Sequence, residues 1–214
     1  MSAIDSSVMI LVREVLGRHS ARSGQRLLVA VAGAPGSGKS TLADAAALAI
    51  NRTSPGLAAV FSMDGYHFDD RLLEVMGRRS RKGAPDTFDV HGLRHMLERL
   101  KGNREDAIAV PVFDRQIEIA RAGARLIPRE VGIVMCEGNY LLLQQPPWDS
   151  LKPIFDFTVL VDVGEAELRR RLIERWQGYG LPPDEIRSKV EENDLPNGVA
   201  IVTSSFESDL NLRN

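Results

Sequence analysis

Cysteine is almost absent from this sequence of 214 residues, in which Cys136 is the only one. A single thiol cannot form an internal disulfide, so a disulfide-stapled scaffold is excluded. Because Cys136 ends the apolar run 131–136, we expect it to pack as a small hydrophobic side chain. These features predict a protein of a reducing compartment, and we expect a cytoplasmic location.

Long apolar runs are missing as well. No run approaches the roughly 18 residues that a transmembrane helix needs, so the sequence predicts no membrane partner. The N-terminal segment lacks the basic start of a signal peptide. Its apolar residues recur at helical spacing from Ile4 to Leu16, which predicts an amphipathic helix over residues 4–19.

An excess of charge of either sign is also lacking. The chain has 27 Lys and Arg residues against 29 Asp and Glu residues, for a net charge of −2. Without a basic field, nucleic acid is not an expected partner. A hydrophobic fraction of 43% and a length of 214 residues fit one globular domain over residues 1–214. Composition leaves a homodimer open.

What the sequence does contain is a complete phosphate-binding loop. Residues 33–40 read Gly-Ala-Pro-Gly-Ser-Gly-Lys-Ser, between an apolar run and an alanine-rich, helix-forming segment. In this context the glycines let backbone N–H groups wrap a polyphosphate at the positive end of a helix. Lys39 offers its charge to the β- and γ-phosphates of ATP, and Ser40 can ligate Mg²⁺. The predicted nucleotide-binding residues of the loop, 33–41, are Gly33, Pro35, Gly36, Ser37, Gly38, Lys39, Ser40 and Thr41.

Short apolar runs alternate with helical patterns along the rest of the chain. This alternation predicts an α/β protein with a three-layer P-loop NTPase fold, in which a parallel β-sheet is wrapped by helices. A helical lid is expected at about 165–195. The expected strands are 27–32, 57–62, 107–112, 131–136 and 157–163, with a further candidate at 199–203. The expected helices are 40–51, 90–100, 165–177 and a segment near 183–192.

Two apolar runs end in a carboxylate, at Asp64 and at Glu137. In open α/β sheets, ligands bind beyond the carboxyl ends of the strands, where both acids are expected. Phosphoryl transfer needs one carboxylate for the attacking hydroxyl and another that helps to hold Mg²⁺. Asp64 suits the first role and Glu137 the second. The alternative is that each acid only caps the following turn.

Arg171 and Arg175 lie four residues apart in the expected lid helix and so share one face. Paired guanidinium groups over a bound nucleotide would stabilise charge on the transferring phosphoryl group. The alternative is a solvated face balanced by glutamates. His91 and His95 also share a helix face, but without an H-E-x-x-H pattern we interpret them as ordinary surface residues. The basic loop 78–82 could meet an anionic substrate or simply be solvated.

With these residues in place, the chain resembles the phosphoribulokinase/uridine kinase family of P-loop kinases, which also contains bacterial pantothenate kinase. The resemblance spans about residues 27–203. The matching segments are 33–41, 62–66, 83–89, 111–114, 136–140 and 171–175. The segments 137–140 and 194–197 look more like a bacterial subgroup named for sugar (fructose) transport.

The resemblance implies that Asp64 is the catalytic base, that Glu137 helps to bind Mg²⁺ and that the lid arginines contact phosphates. Further candidate contacts to the substrate are Tyr66, His67, Phe113, Arg115 and Tyr140. Two departures concern a nucleoside substrate. Uridine kinases carry an acid that grips the ribose hydroxyls where this chain has Gly83, and a base-reading histidine where it has Glu118.

The sequence therefore predicts a kinase that transfers the γ-phosphate of ATP·Mg²⁺ to a hydroxyl of a small molecule. A sugar is slightly favoured over a vitamin or a nucleoside-like acceptor. The competing function is a P-loop ATPase or nucleotide switch without an acceptor. A GTP switch normally carries an N/T-K-x-D motif, which is absent here. The acceptor, the adenine-contacting residues and the roles of 78–82 and 194–197 stay open.

Overall fold

A computed structural model describes residues 3–22 and 24–214. The helices are α1 (Ala3–Ser20), α2 (Lys39–Thr53), α3 (Asp70–Val75), α4 (Val90–Gly102), α5 (Glu165–Gly178), α6 (Pro183–Ser188) and α7 (Leu195–Ser204), with a π-helix at Lys189–Asp194. The strands are β1 (Leu27–Gly33), β2 (Ala58–Ser62), β3 (Ala107–Asp114), β4 (Ile119–Pro128), β5 (Ile133–Gly138), β6 (Phe157–Asp162) and β7 (Leu210–Arg213).

Five strands form one parallel sheet in the order β2-β5-β1-β6-β7. The central strand β1 is buried along its whole length, as expected for a parallel sheet with both faces covered. Its even-numbered residues from Leu28 join one hydrophobic core, and its odd-numbered residues from Leu27 join the other. The predicted α/β fold with a parallel sheet between helices is confirmed.

The two cores lie on opposite faces of the sheet. On one face, α1 and α2 contribute Leu11 and Leu42, and on the other α4 contributes Leu93 and Leu97. The predicted N-terminal helix is thus α1, which packs its apolar face on the domain. None of the helices in the described part of the chain combines the length and the apolar character that crossing a bilayer requires.

Residues 165–195, which we call the lid segment, form a third small core with the phosphate loop. Leu168 and Leu172 of α5 pack with Ala34 of the loop and with Val190 of the π-helix. A Cβ atom on Gly36 would lie only 3.2 Å from Leu172 Cγ, so the loop and α5 are in close contact. The lid segment is therefore held against the loop by apolar packing.

Two strand predictions differ from the structure. The run 107–112 does form a strand, but β3 pairs antiparallel with β4 in a separate two-stranded sheet. The candidate strand 199–203 is wrong, because these residues belong to α7. A short apolar run cannot be assigned by its periodicity alone, and Pro196 favours a helix start. Gly198 then brings α7 close to the loop, since a Cβ atom there would lie 3.3 Å from Ala34 Cβ.

Candidate active site

The phosphate loop lies between β1 and α2 in a conformation that depends on its glycines. Gly36 and Gly38 have φ angles of 80° and 85°, which other L residues rarely adopt. At Gly33 the reason is space, because a Cβ atom would lie 2.7 Å from Ser37 Oγ and 2.8 Å from the Val161 carbonyl oxygen. The loop therefore leads directly to the N-terminus of α2, where unpaired N–H groups attract anions.

A cavity of about 530 Å³, which we call the loop cavity, opens at this helix end. It is lined by Ile4, Gly36, Gly38, Lys39, Ser40, Thr41, Arg115, Arg171, Arg175 and Asn214. Five of the predicted nucleotide-binding residues thus share one cavity. Of the other loop residues, Gly33 and Ser37 are buried and Pro35 lines a neighbouring cavity.

The two predicted carboxylates come from neighbouring strands of the sheet. β2 and β5 pair in parallel with Ser62 opposite Glu137, so the turn that follows β2 carries Asp64 to the same edge. Ser62 Oγ caps this turn by accepting a hydrogen bond from the Asp64 backbone N–H at 3.3 Å. Both carboxylates act electrostatically on Lys39, so the structure brings these three groups together.

Glu137 is buried and accepts a hydrogen bond of 2.9 Å from Ser40 Oγ to its Oε2 atom. Burial raises the pKa of Glu137, and the nearby negative charge of Asp64 raises it further. A carboxyl group in this setting favours a nearby cation. Hydroxyl and carboxylate oxygens are ligands that Mg²⁺ takes together with phosphate oxygens, so Ser40 and Glu137 fit the predicted metal.

Within the described ranges, no group of three or more His, Cys, Asp or Glu side chains could enclose a metal ion. Mg²⁺ beside a nucleotide does not need such a group, since it is bound by one or two protein ligands and by phosphates. The side chain of His95 is 84% exposed, and its Nδ1 atom lies 3.9 Å from Glu98 Oε2. The sequence spacing had placed His95 on the same helix face as His91.

Asp64 forms an ion pair with Arg115. Burial opposes ionisation of Asp64, but the positive charge of Arg115, with smaller effects from His67 and Lys39, holds its pKa below the usual range. The ionised carboxylate is the form that can accept a proton. Burial lowers the pKa of Lys39, although the two carboxylates oppose this shift.

The arginines of α5 differ in their partners. Arg171 donates hydrogen bonds to the carbonyl oxygens of Gly36 and Ser37 at 3.4 and 3.3 Å. Arg175 has no carboxylate within ion-pair distance in the described part of the chain, and its guanidinium lies 5.2 Å from the Trp176 ring centre. Arg171 also pairs with Glu167 through its Nε atom at 2.7 Å. The two preceding arginines pair only on the surface, Arg169 with Glu165 and Glu191 and Arg170 with Glu167 and Glu174.

A second cavity of about 100 Å³, which we call the inner cavity, lies beside Asp64. Of the predicted substrate contacts, His67, Phe113 and Arg115 line it. The Phe113 ring packs against the His67 ring at a tilt of 42°, with ring centres 4.8 Å apart. His67 Nδ1 lies 2.8 Å from the Asp64 carbonyl oxygen, and burial lowers the pKa of this imidazole.

The two tyrosines predicted as substrate contacts lie elsewhere. Tyr140 is fully buried, its ring packs against Trp148, and its hydroxyl donates a 2.6 Å hydrogen bond to the Gly83 carbonyl oxygen. Tyr66 packs edge-on against Phe61 in the core. Burial raises the pKa of both phenols. Neither tyrosine lines the loop cavity or the inner cavity, because their aromatic rings pack in the hydrophobic core.

Several lining residues of the inner cavity were not predicted from sequence. Among them are Asn139, Lys189 and Asp194. Asn139 directly follows the Glu137-Gly138 pair that ends β5. A polar residue just beyond a strand end is a sequence signal that could have identified it. Asp194 lay in a segment noted only for resemblance, and Lys189 carried no local signal.

The loop cavity and the inner cavity share three lining residues: Lys39, Arg115 and Arg175. The shared wall is therefore cationic. On its loop side lie Ser40 and the N-terminus of α2, and on its inner side lies Asp64. The shared wall thus lies between the phosphate loop and the Asp64 carboxylate.

This loop, sheet order and pair of carboxylates define a P-loop kinase fold, and comparisons with known proteins identify the family. No model of a protein family matches the chain. The chain is 31% identical over 180 residues to Schizosaccharomyces pombe C227.14, named as a proposed uridine kinase, covering 81% of this chain and 77% of that protein. It is 30% identical over 170 residues to pantothenate kinase of Streptomyces avermitilis, covering 76% of this chain but only 51% of that enzyme.

Among solved structures, a proposed fructose transport system kinase from Silicibacter sp. TM1040 is 40% identical, with a TM-score of 0.87. The match covers 99% of this chain and 98% of that one. The chain belongs to the uridine kinase family of P-loop kinases. It is a phosphotransferase that acts on small molecules, and its relatives imply the use of ATP.

Proposed function

We propose that this enzyme transfers the γ-phosphate of ATP·Mg²⁺ to a hydroxyl group of a small sugar-like alcohol. The observation that carries the proposal is the cationic wall shared by the two cavities, with the phosphate loop on one side and Asp64 on the other. Such an arrangement supports direct transfer between two bound molecules, since both would meet at the same charged groups.

Asp64 is the proposed catalytic base. Its carboxylate takes the proton of the acceptor hydroxyl as the new O–P bond forms and the bond from the γ-phosphorus to ADP breaks. The lowered pKa of Asp64 keeps the carboxylate ionised, which is the form that the role of base requires. His67 and Phe113 form the aromatic wall beside it.

Lys39, Arg171 and Arg175 are proposed to stabilise negative charge on the phosphates during transfer. Arg171 is supported by its contacts with the loop carbonyls, and Arg175 by its position on both cavities. Ser40 and Glu137 are the residues that would hold Mg²⁺. The ion itself would neutralise phosphate charge and orient the phosphate chain.

A sugar-like acceptor is favoured over a nucleoside by the inner cavity. Gly83 and Glu118, the two departures from uridine kinases, both line it. Gly83 has a φ of 97°, so a residue with a carboxylate side chain would be strained there. A cavity of about 100 Å³ also offers little room for two linked rings. The relative named for fructose transport, at 40% identity, supports the same class.

The test is a screen for acceptor-stimulated ADP release. Purified protein is mixed with ATP and Mg²⁺, and sugars, short polyols, nucleosides and pantothenate are added one at a time. We expect stimulation by a sugar or polyol and little by nucleosides. ATP hydrolysis that no alcohol stimulates would instead favour the competing function of an ATPase or nucleotide switch.

A further inference from the structure

Asp194 is a buried carboxylate of the inner cavity that the proposed mechanism does not use. It is 8% exposed, and its Oδ2 atom accepts a 2.8 Å hydrogen bond from the Trp176 indole N–H. In the described residues, no donor contacts the Asp194 Oδ1 atom. This atom is nevertheless not fully enclosed by the protein. Because Asp194 lines the inner cavity, this free oxygen is available to a molecule bound there.

Several cations lie near Asp194. Burial raises the pKa of Asp194 overall, and the Trp176 hydrogen bond and the positive charges of Arg175, Lys189 and Lys39 oppose this shift only in part. Lys189 has no ion-pair partner in the described part of the chain, and its Nζ atom lies 4.6 Å from the Trp176 ring centre. The carboxylate is therefore surrounded by cations but leaves one oxygen without a donor.

The backbone presents this carboxylate in an unusual way. Asp194 ends the π-helix Lys189–Asp194, and single π turns inside helices are frequent at functional sites. Asn193 and Asp194, the last two residues of this π-helix, both line the inner cavity. Asn193 Nδ2 also donates a 3.3 Å hydrogen bond to the Lys82 carbonyl oxygen across the cavity. This hydrogen bond thus connects the π-helix of the lid segment to the loop that carries Lys82 and Gly83.

The loop that carries Lys82 and Gly83 faces Asn193, and at Gly83 it has no side chain. A Cβ atom on Gly83 would have Asn193 Nδ2 as its nearest neighbour, 3.9 Å away. The lid segment adds the polar side chains of Asn193 and Asp194 to this part of the cavity wall. Of these, Asp194 supplies the acceptor oxygen that has no donor in the described residues.

We propose that Asp194 binds the acceptor through a hydroxyl group other than the one that is phosphorylated, so that the acceptor is a polyol. This inference rests on the proposed kinase function. A molecule with a single hydroxyl would leave the Asp194 Oδ1 atom without a donor from the ligand at a largely buried residue, which is costly. Recognition of the second hydroxyl comes from the lid segment, so acceptor binding and the position of that segment are linked.

The test compares Asp194→Asn with the wild-type enzyme. Asparagine keeps an oxygen for the Trp176 N–H but turns an amide donor toward the cavity, so the fold should be retained. Each polyol that stimulates ADP release, with D-fructose, D-ribose and glycerol tried first, is measured together with its singly deoxygenated analogues. Glu191→Gln is the matched control, because Glu191 lies on the same π-helix but pairs with Arg169 on the surface.

In the wild type, one deoxygenated analogue should have a KM at least roughly tenfold above that of its parent. Asp194→Asn should raise the KM of the parent by a similar factor, leave that analogue nearly unchanged and leave the KM for ATP within about twofold. Glu191→Gln should behave as the wild type. If Asp194→Asn unfolds, Asp194→Ser provides the same comparison.

Two results would overturn the inference. One is an equal loss for the parent and for every deoxygenated analogue in Asp194→Asn, or no loss in any of them, while acceptor-stimulated turnover persists in the wild type. That result would leave the kinase function standing. The other is the absence of stimulation by any alcohol in the wild type, which would remove the proposed function and the inference together.

Discussion

Lys39 supplies the only charged side chain of the phosphate loop. It lies at the wall shared by both cavities, next to two carboxylates. Lys39→Ala should weaken ATP·Mg²⁺ binding by roughly ten- to a hundredfold, since a charge-assisted contact is lost in a half-buried site. Calorimetry measures this, with Lys152→Ala as a control because Lys152 contacts Phe206 away from the loop. Equal affinity and turnover in Lys39→Ala would contradict the phosphate-loop assignment.

Arg115 controls the ionisation of Asp64. Its charge is the main influence that lowers the Asp64 pKa against the effect of burial. Activity should be lost as the pH falls through this pKa, because the protonated carboxyl cannot act as a base. In Arg115→Ala the pKa rises, so the acid limb of kcat/KM should move upward by about one pH unit.

A pH profile of kcat/KM for wild type and Arg115→Ala measures this shift. Arg121→Ala is the matched control, because Arg121 pairs with Asp114 on the exposed side of the same hairpin. A limb that stays in place, or that moves to lower pH, would show that Asp64 is not the titrating base.

At the scale of the element, α5 carries Arg171, which contacts the loop, Arg175, which lines both cavities, and Arg169 and Arg170, which form ion pairs on the surface. Arg171→Ala and Arg175→Ala should each lower kcat by one to a few orders of magnitude, about 1.4 kcal/mol per factor of ten, with smaller effects on ATP binding. Neither side chain belongs to the small core of the lid segment, so stability should be retained. The double variant should fall short of additivity if both arginines act on the same phosphoryl group.

Arg170→Ala is the control within the same helix, since Arg170 is tied to Glu167 and Glu174 on the surface. The measurement is the steady-state kcat and KM of Arg171→Ala, Arg175→Ala, the double variant and Arg170→Ala. Unchanged kcat in Arg171→Ala and Arg175→Ala would place both arginines on a solvated helix face. Full additivity would show that they act independently.

The sequence predicted those elements whose patterns are local. The phosphate loop has a fixed spacing, and the runs that became β1, β2, β5 and β6 are continuous because both sheet faces are covered. β4 was not predicted, because most of its residues are exposed and its sequence therefore lacks the hydrophobic pattern of a buried strand. The run 199–203 was misassigned because a short apolar run fits a strand and a buried helix equally well, and the structure places it in α7.

Site residues could be predicted where they follow a strand directly. Asp64 and Glu137 are brought to one edge by the parallel pairing of β2 and β5, which the sequence pattern already implied. Tyr66 and Tyr140 follow the same strands, yet core packing turns their rings away from both cavities. Asp194 could not be assigned a role, because its position depends on a π-helix that has no sequence signature here.

At the scale of the whole molecule, the inner cavity limits the choice of acceptor. Gly83 cannot offer a carboxylate to a ribose diol, and ionised Glu118 cannot donate a hydrogen bond to a pyrimidine carbonyl. We therefore expect uridine and cytidine to be poor acceptors relative to a sugar or polyol. Comparison of kcat/KM across these acceptors measures the preference. Uridine phosphorylation with a Michaelis constant in the ordinary enzyme range would contradict this account of the cavity.

The central claim is phosphoryl transfer to an alcohol with Asp64 as base, and product stoichiometry in Asp64→Asn tests it most directly. With a stimulating acceptor, the wild type should form ADP and acceptor phosphate in equal amounts. Asp64→Asn should lower kcat by roughly 10²–10⁴ with ATP binding nearly intact, whereas Glu137→Gln should mainly raise the Mg²⁺ requirement. Asp44→Asn, on the exposed face of α2, should behave as the wild type. ADP formed without acceptor phosphate, or full activity in Asp64→Asn, would contradict the claim.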